Sequence, residues 1–281
     1  MNVMAYKSLL AVWDGLADSR PALDAAISMA RTWDAHLNVL CLGIDHVQVG
    51  FYYAGASPAV MAENVEAARA SAKALEEEVD EILRKEDINW SAQSMVAQLG
   101  GLGWVVGQAA RFNDLVILPK PYGRGASVDS PAILEAAMFE GDAPVLIYPA
   151  TAKGIPGRKV VVGWNQSTEA LRAVKAALPF LENSDAADIA VIDPPRHDED
   201  QADPGVELSK MLLRHGVVVS VSVLANTLPR VSETLKQHAN DIAADMMVIG
   251  AYGHSRFRES ILGGATRDLL EDMNMPVFMA H

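Results

Sequence analysis

The sequence predicts an α/β protein built from two doubly wound parallel-sheet domains in tandem. Its 281 residues are long enough for two domains, and 50% of them are hydrophobic, enough for a substantial core. A pattern of short apolar runs alternating with amphipathic stretches occurs once and is then repeated about 150 residues later, as an internal repeat would be. We expect one domain over residues 1–150 and the other over residues 157–281, joined by turn-forming residues from Ala150 to Gly157.

Each half follows the same order of elements. An apolar run predicts a first strand, and residues with helical spacing predict the helix after it. Further strands and helices alternate until each half closes on a strand. Such alternation indicates parallel sheets covered by crossover helices. The predicted strands are 7–14, 36–42, 88–95, 114–118 and 143–148 in the first half, and 159–165, 188–193, 217–224, 245–249 and 275–279 in the second. The predicted helices are 21–32, 63–84 and 102–112, then 168–181, 206–214, 231–243 and a start at 265–270.

Charge and cysteine content exclude several classes of protein. The formal net charge is −13, which argues against general binding to nucleic acid or an anionic membrane, since both depend on basic surfaces. No stretch approaches the ~20 apolar residues of a membrane span. Cys41 is the single cysteine, so an internal disulfide is impossible, and a reducing compartment such as the cytoplasm is expected.

Two insertions interrupt the repeat. The first, Ile44 to Pro58, contains Phe51, Tyr52 and Tyr53; we favour ordinary packing for them, with a ligand or partner contact as the alternative. The second, Pro194 to Asp200, is a polar loop with one histidine. A metal site there is disfavoured because ligands must converge from defined positions.

A glycine-rich segment after the fourth strand of the second half is the candidate site. Gly250 and Gly253 leave a buried strand, and after nine further residues Gly263 and Gly264 open a predicted helix. Glycines let a backbone approach a ligand closely, and a helix N-terminus offers unpaired N–H donors to an anion. Ligands of open parallel sheets bind beyond the carboxyl ends of the strands, where this segment must lie. Phosphate binding and simple turns both remain open from the glycines alone.

The repeated halves and this glycine spacing resemble a tandem universal stress protein over nearly the whole chain. Nucleotide-binding members of that family carry G-x-x-G, nine residues, then G and Ser or Thr. Gly264 stands here where the family has the hydroxyl residue, and Thr266 matches a second hydroxyl position. The resemblance implies three-layer α/β/α domains and an adenine nucleotide, ATP with ADP and AMP as alternatives, with Mg²⁺ held through the phosphates.

The resemblance also indicates which residues hold the nucleotide. The ends of the first and second strands of the second half would hold the adenosine, with Asn165 in place of the usual Asp. His254 would add a donor to the phosphates if it is protonated. The predicted nucleotide-binding residues are Gly163, Trp164, Asn165, Val191, Ile192, Gly250, Gly253, His254, Arg256, Gly263, Gly264, Ala265 and Thr266.

The first half departs from the family pattern. Asp14 matches the family acid, but the segment after Leu118 begins Pro119-Lys120-Pro121 and lacks the nine-residue spacing. Prolines remove N–H donors, so we expect this half to keep the fold and to have lost the nucleotide. The family's final strands pair across a dimer interface, which implies that Val145–Tyr148 and Val277–Ala280 pair within this chain, as an intrachain pseudo-dimer. A homodimer of two chains remains open.

Two functions follow from this resemblance. The first is a cytoplasmic stress-response regulator that binds an adenine nucleotide in its second half and acts on an unidentified protein partner. The second is a scaffold of the same family that binds no nucleotide and acts through protein association. Enzymatic turnover is not expected beyond slow ATP hydrolysis, because neither a P-loop nor a G-x-S-x-G motif is present and Cys41 lies in an apolar strand. A glycine run from Gly100 to Gly107 is one residue too long for a dinucleotide fingerprint.

Overall fold

The computed structural model describes residues 5–46, 58–194, 204–251 and 264–281. The chain divides into two compact units, Tyr6–Ala143 and Pro144–His281. The boundary precedes the last strand of the first repeat. That strand belongs to the second unit because it pairs with the last strand of the chain.

The first unit contains a parallel sheet in the order β3-β2-β1-β4. Its strands are β1 Ser8–Trp13, β2 His36–Asp45, β3 Asn89–Gln98 and β4 Leu115–Pro119. Its helices are α1 Arg20–Trp33, α2 Pro58–Leu83, α3 Leu102–Ala110 and α4 Ser130–Glu135, which continues into a π turn, Ala136–Glu140. Strand β1 is buried along nearly its whole length, as expected for a strand covered on both faces.

The second unit repeats this arrangement and carries one additional strand. Its sheet has the order β5-β10-β9-β6-β7-β8, parallel except for β5. Its strands are β5 Val145–Tyr148, β6 Lys159–Gly163, β7 Ala186–Ile192, β8 Val219–Leu224, β9 Met246–Gly250 and β10 Val277–Ala280. Its helices are α5 Thr168–Ala176, α6 Leu178–Leu181, α7 Val206–Arg214, α8 Val231–Asp241 and α9 Gly264–Asp272.

The repeat is visible in individual hydrogen bonds. Asp114, just before β4, accepts from the backbone N–H groups of Lys7 (2.7 Å) and Ser8 (3.0 Å). Asp245, just before β9, accepts in the same way from Arg158 and Lys159, at 3.1 and 2.9 Å. One carboxylate therefore fixes the start of the neighbouring strand in each unit.

The predicted parallel α/β fold is confirmed, and so is the pairing of β5 with β10. Val277 lies opposite Ile147 in an antiparallel ladder, and all four residues of each strand are buried. The last strand of each repeat is thereby protected from standing as a bare sheet edge. Within the described ranges, no helix is long and apolar enough to cross a membrane.

Two predictions about helices need correction. The single helix predicted over residues 168–181 is two helices, α5 and α6, that meet at Ala177. Pro179 explains the break, because proline has no N–H to donate and its ring clashes with the preceding turn. Residues 130–140 form α4 and the π turn, although no helix was predicted for them.

Candidate functional site

An open cleft lies at the carboxyl ends of β6, β7 and β9 and has a volume of about 220 Å³. In the sheet, β7 lies on one side of β6 and β9 lies on the other. The cleft therefore lies where the strand order reverses. Ligands of doubly wound sheets bind at this switch point. The described lining residues are Gly163, Trp164, Asn165, Ala190, Ile192, Val231, Ser232, Leu235, Ile249, Gly250, Thr266 and Leu269.

Gly163 keeps the cleft open. A Cβ atom at this position would lie 3.0 Å from Leu235 Cδ2 and 3.1 Å from Ile249 Cγ2. Both neighbours line the cleft, so a larger side chain at residue 163 would occupy space that a ligand needs.

Gly250 has a structural reason to be glycine. A Cβ atom there would lie 2.3 Å from the backbone nitrogen of Ala170, in the first turn of α5. No side chain fits against a backbone at that distance. The close approach of helix α5 therefore accounts for Gly250 without any contact to phosphate.

Trp164 and Asn165 continue from β6 into the rim of the cleft. The Trp164 indole Nε1–H donates to the carbonyl oxygen of Pro204 at 2.7 Å, which fixes the ring. Asn165 is exposed, and its Oδ1 accepts from the Ser167 backbone N–H at 3.1 Å. Ser167 in turn caps α5 by accepting from Ala170 N–H at 3.1 Å. One lone pair of the Asn165 oxygen is thus used in forming the turn, while its Nδ2 makes no hydrogen bond with the described residues.

The structure brings together six of the thirteen predicted residues. Gly163, Trp164, Asn165, Ile192, Gly250 and Thr266 line the cleft. Val191 is buried and is not part of the lining, because successive side chains of a strand point to opposite faces and its neighbours Ala190 and Ile192 take that place. Gly264 and Ala265 begin helix α9. Gly253, His254, Arg256 and Gly263 lie outside the described residues, as do Phe51, Tyr52, Tyr53 and His197.

Helix α8 forms a wall of the cleft that sequence reasoning did not identify. Val231, Ser232 and Leu235 all line it. The available signal was topological: α8 follows β8 after a short connection, so its first turn lies at the same edge of the sheet as the glycine segment.

The described lining contains no ionisable side chain. Glu169, a partly exposed carboxylate in the first turn of α5, has a lowered pKa. A hydrogen bond to its own backbone N–H is the main cause that lowers this pKa. Burial opposes the shift, and the Ser167 hydroxyl and the charges of His281 and Arg172 lower the pKa further. No group of three or more potential metal ligands occurs in the described segments. This part of the cleft therefore offers apolar surface and neutral hydrogen-bonding groups.

Comparison with known proteins agrees with this geometry. The model of the universal stress protein family matches residues 157–281. In residues 157–281 the chain thus resembles a universal stress protein domain. A comparison with curated proteins finds no significant match.

Solved structures extend the likeness of fold to the whole chain. A universal stress protein from Archaeoglobus fulgidus is 15% identical, with a TM-score of 0.69, over 97% of this chain and 96% of that one. A functionally unknown protein from Pseudomonas aeruginosa PAO1 is 16% identical, with a TM-score of 0.59, over 98% and 92%. The chain thus consists of two α/β folds of the universal stress type in tandem.

The first unit has a cavity at the matching position, and it is much smaller than the cleft of the second unit. The cavity there measures about 10 Å³ and is lined by Val12, Asp14, Leu118, Pro119, Ser130 and Ile133. Asp14 forms the same kind of turn as Asn165, accepting from Leu16 N–H at 3.0 Å. The turn is therefore kept where the ligand space is almost absent.

Proposed function

We propose that the cleft of the second unit binds an adenine nucleotide, ATP or its di- or monophosphate, and that the bound state is read by a protein partner. The observation that supports this most directly is an open cleft with largely apolar walls at the switch point of a universal stress protein domain. Small-molecule sites combine such walls with a few polar groups that fix orientation.

The lining divides into parts that suit different parts of a nucleotide. Ile192, Leu235 and Ile249 offer apolar surface for a purine. Asn165 offers an amide at the rim for ribose or base. Thr266, in the first turn of α9, offers a hydroxyl beside a helix N-terminus, which favours phosphate.

We propose a regulatory role and no efficient turnover. The described lining has no side chain that could act as a general base. Mg²⁺ would accompany the nucleotide and be held mainly by its phosphates. Regulation requires that the nucleotide favour one conformation of the protein over another.

Calorimetry with purified full-length protein tests this proposal. ATP, ADP and AMP are titrated with and without Mg²⁺, after any adenine absorbance carried through purification has been measured. Heat with one binding site per chain is expected for at least one of the three nucleotides. The absence of both co-purified nucleotide and binding heat would contradict the proposal.

A scaffold without nucleotide is the second candidate, and three observations favour it. Gly264 replaces the family's hydroxyl residue, Asn165 Oδ1 already accepts a hydrogen bond from Ser167, and Gly250 is explained by packing against α5. A negative calorimetric result together with a stable complex between this chain and another protein would select this function.

A further inference from the structure

Ser232 is a buried polar residue in the wall of the cleft, and no hydrogen-bond partner for its side chain occurs among the described residues. Only 6% of its surface is exposed. It lines the cleft, and its hydroxyl makes no hydrogen bond with any of the described residues. Buried hydroxyls are normally hydrogen-bonded, because leaving one unpaired costs free energy. The Ser232 hydroxyl is thus available to a ligand.

The backbone around Ser232 adds further donors. Ser232 is the second residue of α8, a helix of 11 residues whose N-cap, Arg230, makes no side-chain capping hydrogen bond. The Arg230 carbonyl accepts from Glu233 and Thr234, as the first intrahelical bonds require. The N–H groups of Val231 and Ser232 precede these bonds and find no acceptor among the described residues. Three donors therefore lie at the N-terminal end of α8, where the helix dipole has its positive partial charge.

The charged groups around this turn are one ion pair and one further carboxylate, a formal sum of one negative charge. Arg230 Nη1 lies 2.8 Å from Asp268 Oδ2, so the cation just before the helix is already paired. Glu233 is the acidic residue in the first turn of the helix. The same ion pair links the start of α8 to α9. The N-terminal turns of both helices border the cleft.

We propose that the first turn of α8 is a second anion-binding arm of the cleft. In this arm, Ser232 Oγ–H and the N–H groups of Val231 and Ser232 donate to a phosphate group of the bound ligand. This inference rests on the proposed function for its natural ligand, and the phosphate chemistry itself can be tested separately. It assigns to α8 a part of phosphate recognition that the glycine segment would otherwise carry alone.

The decisive comparison uses adenosine and ATP with the wild-type chain and Ser232→Ala. Loss of a hydrogen bond to a charged oxygen should weaken ATP binding about tenfold. Adenosine affinity should change less than about twofold, because adenosine has no phosphate. Ser232→Thr keeps the hydroxyl and should restore most of the ATP affinity.

A matched control lies two residues along the same helix. Thr234 is 8% exposed, and its hydroxyl already donates to Asn226 Oδ1 at 3.1 Å. Thr234→Val removes a hydroxyl of α8 with no direct effect on ligand donors, so its ratio of ATP to adenosine affinity should equal that of the wild type. Equal affinity of wild type and Ser232→Ala for ATP would overturn the inference, as would equal weakening for adenosine and ATP.

Inorganic tripolyphosphate separates this inference from the proposed function. The backbone amide signals of Val231 and Ser232 in ¹⁵N spectra of the full chain should shift on titration, and less so in Ser232→Ala. If they shift while no adenine nucleotide binds, the anion arm stands and the proposed function fails. If ATP binds but these amides do not shift with either ATP or tripolyphosphate, the arm is absent and the proposed function stands.

Discussion

The matching clefts of the two units have very different sizes, about 220 Å³ in the second unit and about 10 Å³ in the first. Counted from Asp14 and Asn165, which end the matching segments, Val12 stands where the second unit has Gly163. Pro119 ends β4 where Gly250 ends β9. The strand order is the same in both units, so the difference in cleft size goes with differences of side chain at these strand ends.

The two units also differ in the polar network around the second strand of each repeat. In the first unit Asn38 joins a neutral network with Ser8, Ser91 and Asn113. In the second unit Asp188 stands at the matching register position and accepts from Ser220 (2.6 Å) and Ser222 (3.0 Å), with His238 Nε2 at 2.8 Å. One repeat therefore has a half-buried amide where the other has a buried carboxylate.

The largest effect is expected from giving the second cleft the side chain of the first. Gly163→Val should reduce ATP affinity by about a hundredfold or more, because the added methyl groups occupy the space between Leu235 and Ile249. Calorimetry measures the affinity, and circular dichroism checks the fold. Val12→Gly is the matched control and should leave ATP affinity unchanged. Wild-type affinity in Gly163→Val would show that the ligand binds elsewhere.

The contrast between the Asn38 and Asp188 networks predicts the next largest effect. Asp188→Asn should lower the free energy of unfolding by about 2 kcal/mol, since a neutral amide would replace the carboxylate that contacts Ser220, Ser222 and His238. The reciprocal Asn38→Asp should also destabilise, because the new carboxylate would face the Asn113 oxygen. Urea unfolding measures both. An unchanged midpoint for Asp188→Asn would mean that the network contributes no net stability.

Gly250→Ala tests whether this glycine is structural. Its Cβ would lie 2.3 Å from a backbone atom of α5, so we expect a loss of about 1–3 kcal/mol in unfolding free energy. Gly100→Ala is a fitting control, since a Cβ at Gly100 meets nothing within 4 Å. Unchanged stability with impaired nucleotide binding would instead assign Gly250 to the ligand.

The smallest effect concerns an acid that is present in only one unit. Burial, and then the nearby Glu140, raise the pKa of Glu135, and Glu135 Oε1 has no hydrogen-bond partner in the described chain. A raised pKa in the folded state means that the stabilising contribution is complete below the ordinary pKa of Glu and is lost as the pH rises through the folded value. Glu135→Gln should therefore stabilise the protein near pH 7, by less than about 1 kcal/mol.

The pH dependence supplies the check on Glu135. The advantage of Glu135→Gln should disappear below about pH 4, where the unfolded chain also holds the proton. Glu81→Gln, on an exposed face of α2, serves as control and should not alter stability at either pH. A gain that persists at low pH would mean that ionisation is not its cause.

Much of this fold was predictable because short segments of the sequence show the hydrophobic patterns of strands and helices. Apolar runs such as Leu115–Leu118 predict buried parallel strands, and the repeat predicts their order. The break at Ala177 was missed because helical periodicity continues through it, and the short helix and π turn over residues 130–140 were missed altogether. For the cleft, strand ends were predictable from topology, whereas the wall formed by α8 depends on how a helix packs across the sheet.

The sequence did not reveal why individual positions at the cleft are glycine. In the sequence, Gly163 and Gly250 are both glycines at the end of an apolar run, and nothing distinguishes them. The structure separates them, since a Cβ at the first would intrude on the cleft and one at the second would strike a neighbouring helix. Such a distinction requires knowing what lies within a few ångströms, which spacing along a chain does not contain.

The antiparallel ladder between β5 and β10 has a practical consequence for dissecting this chain. A fragment cut at residue 157 would remove β5 and leave the N–H and C=O groups of Val277 and Met279 without their partner strand. Such a fragment invites aggregation through that edge. Recombinant versions of the C-terminal half are better started at Pro144, which retains the protecting strand.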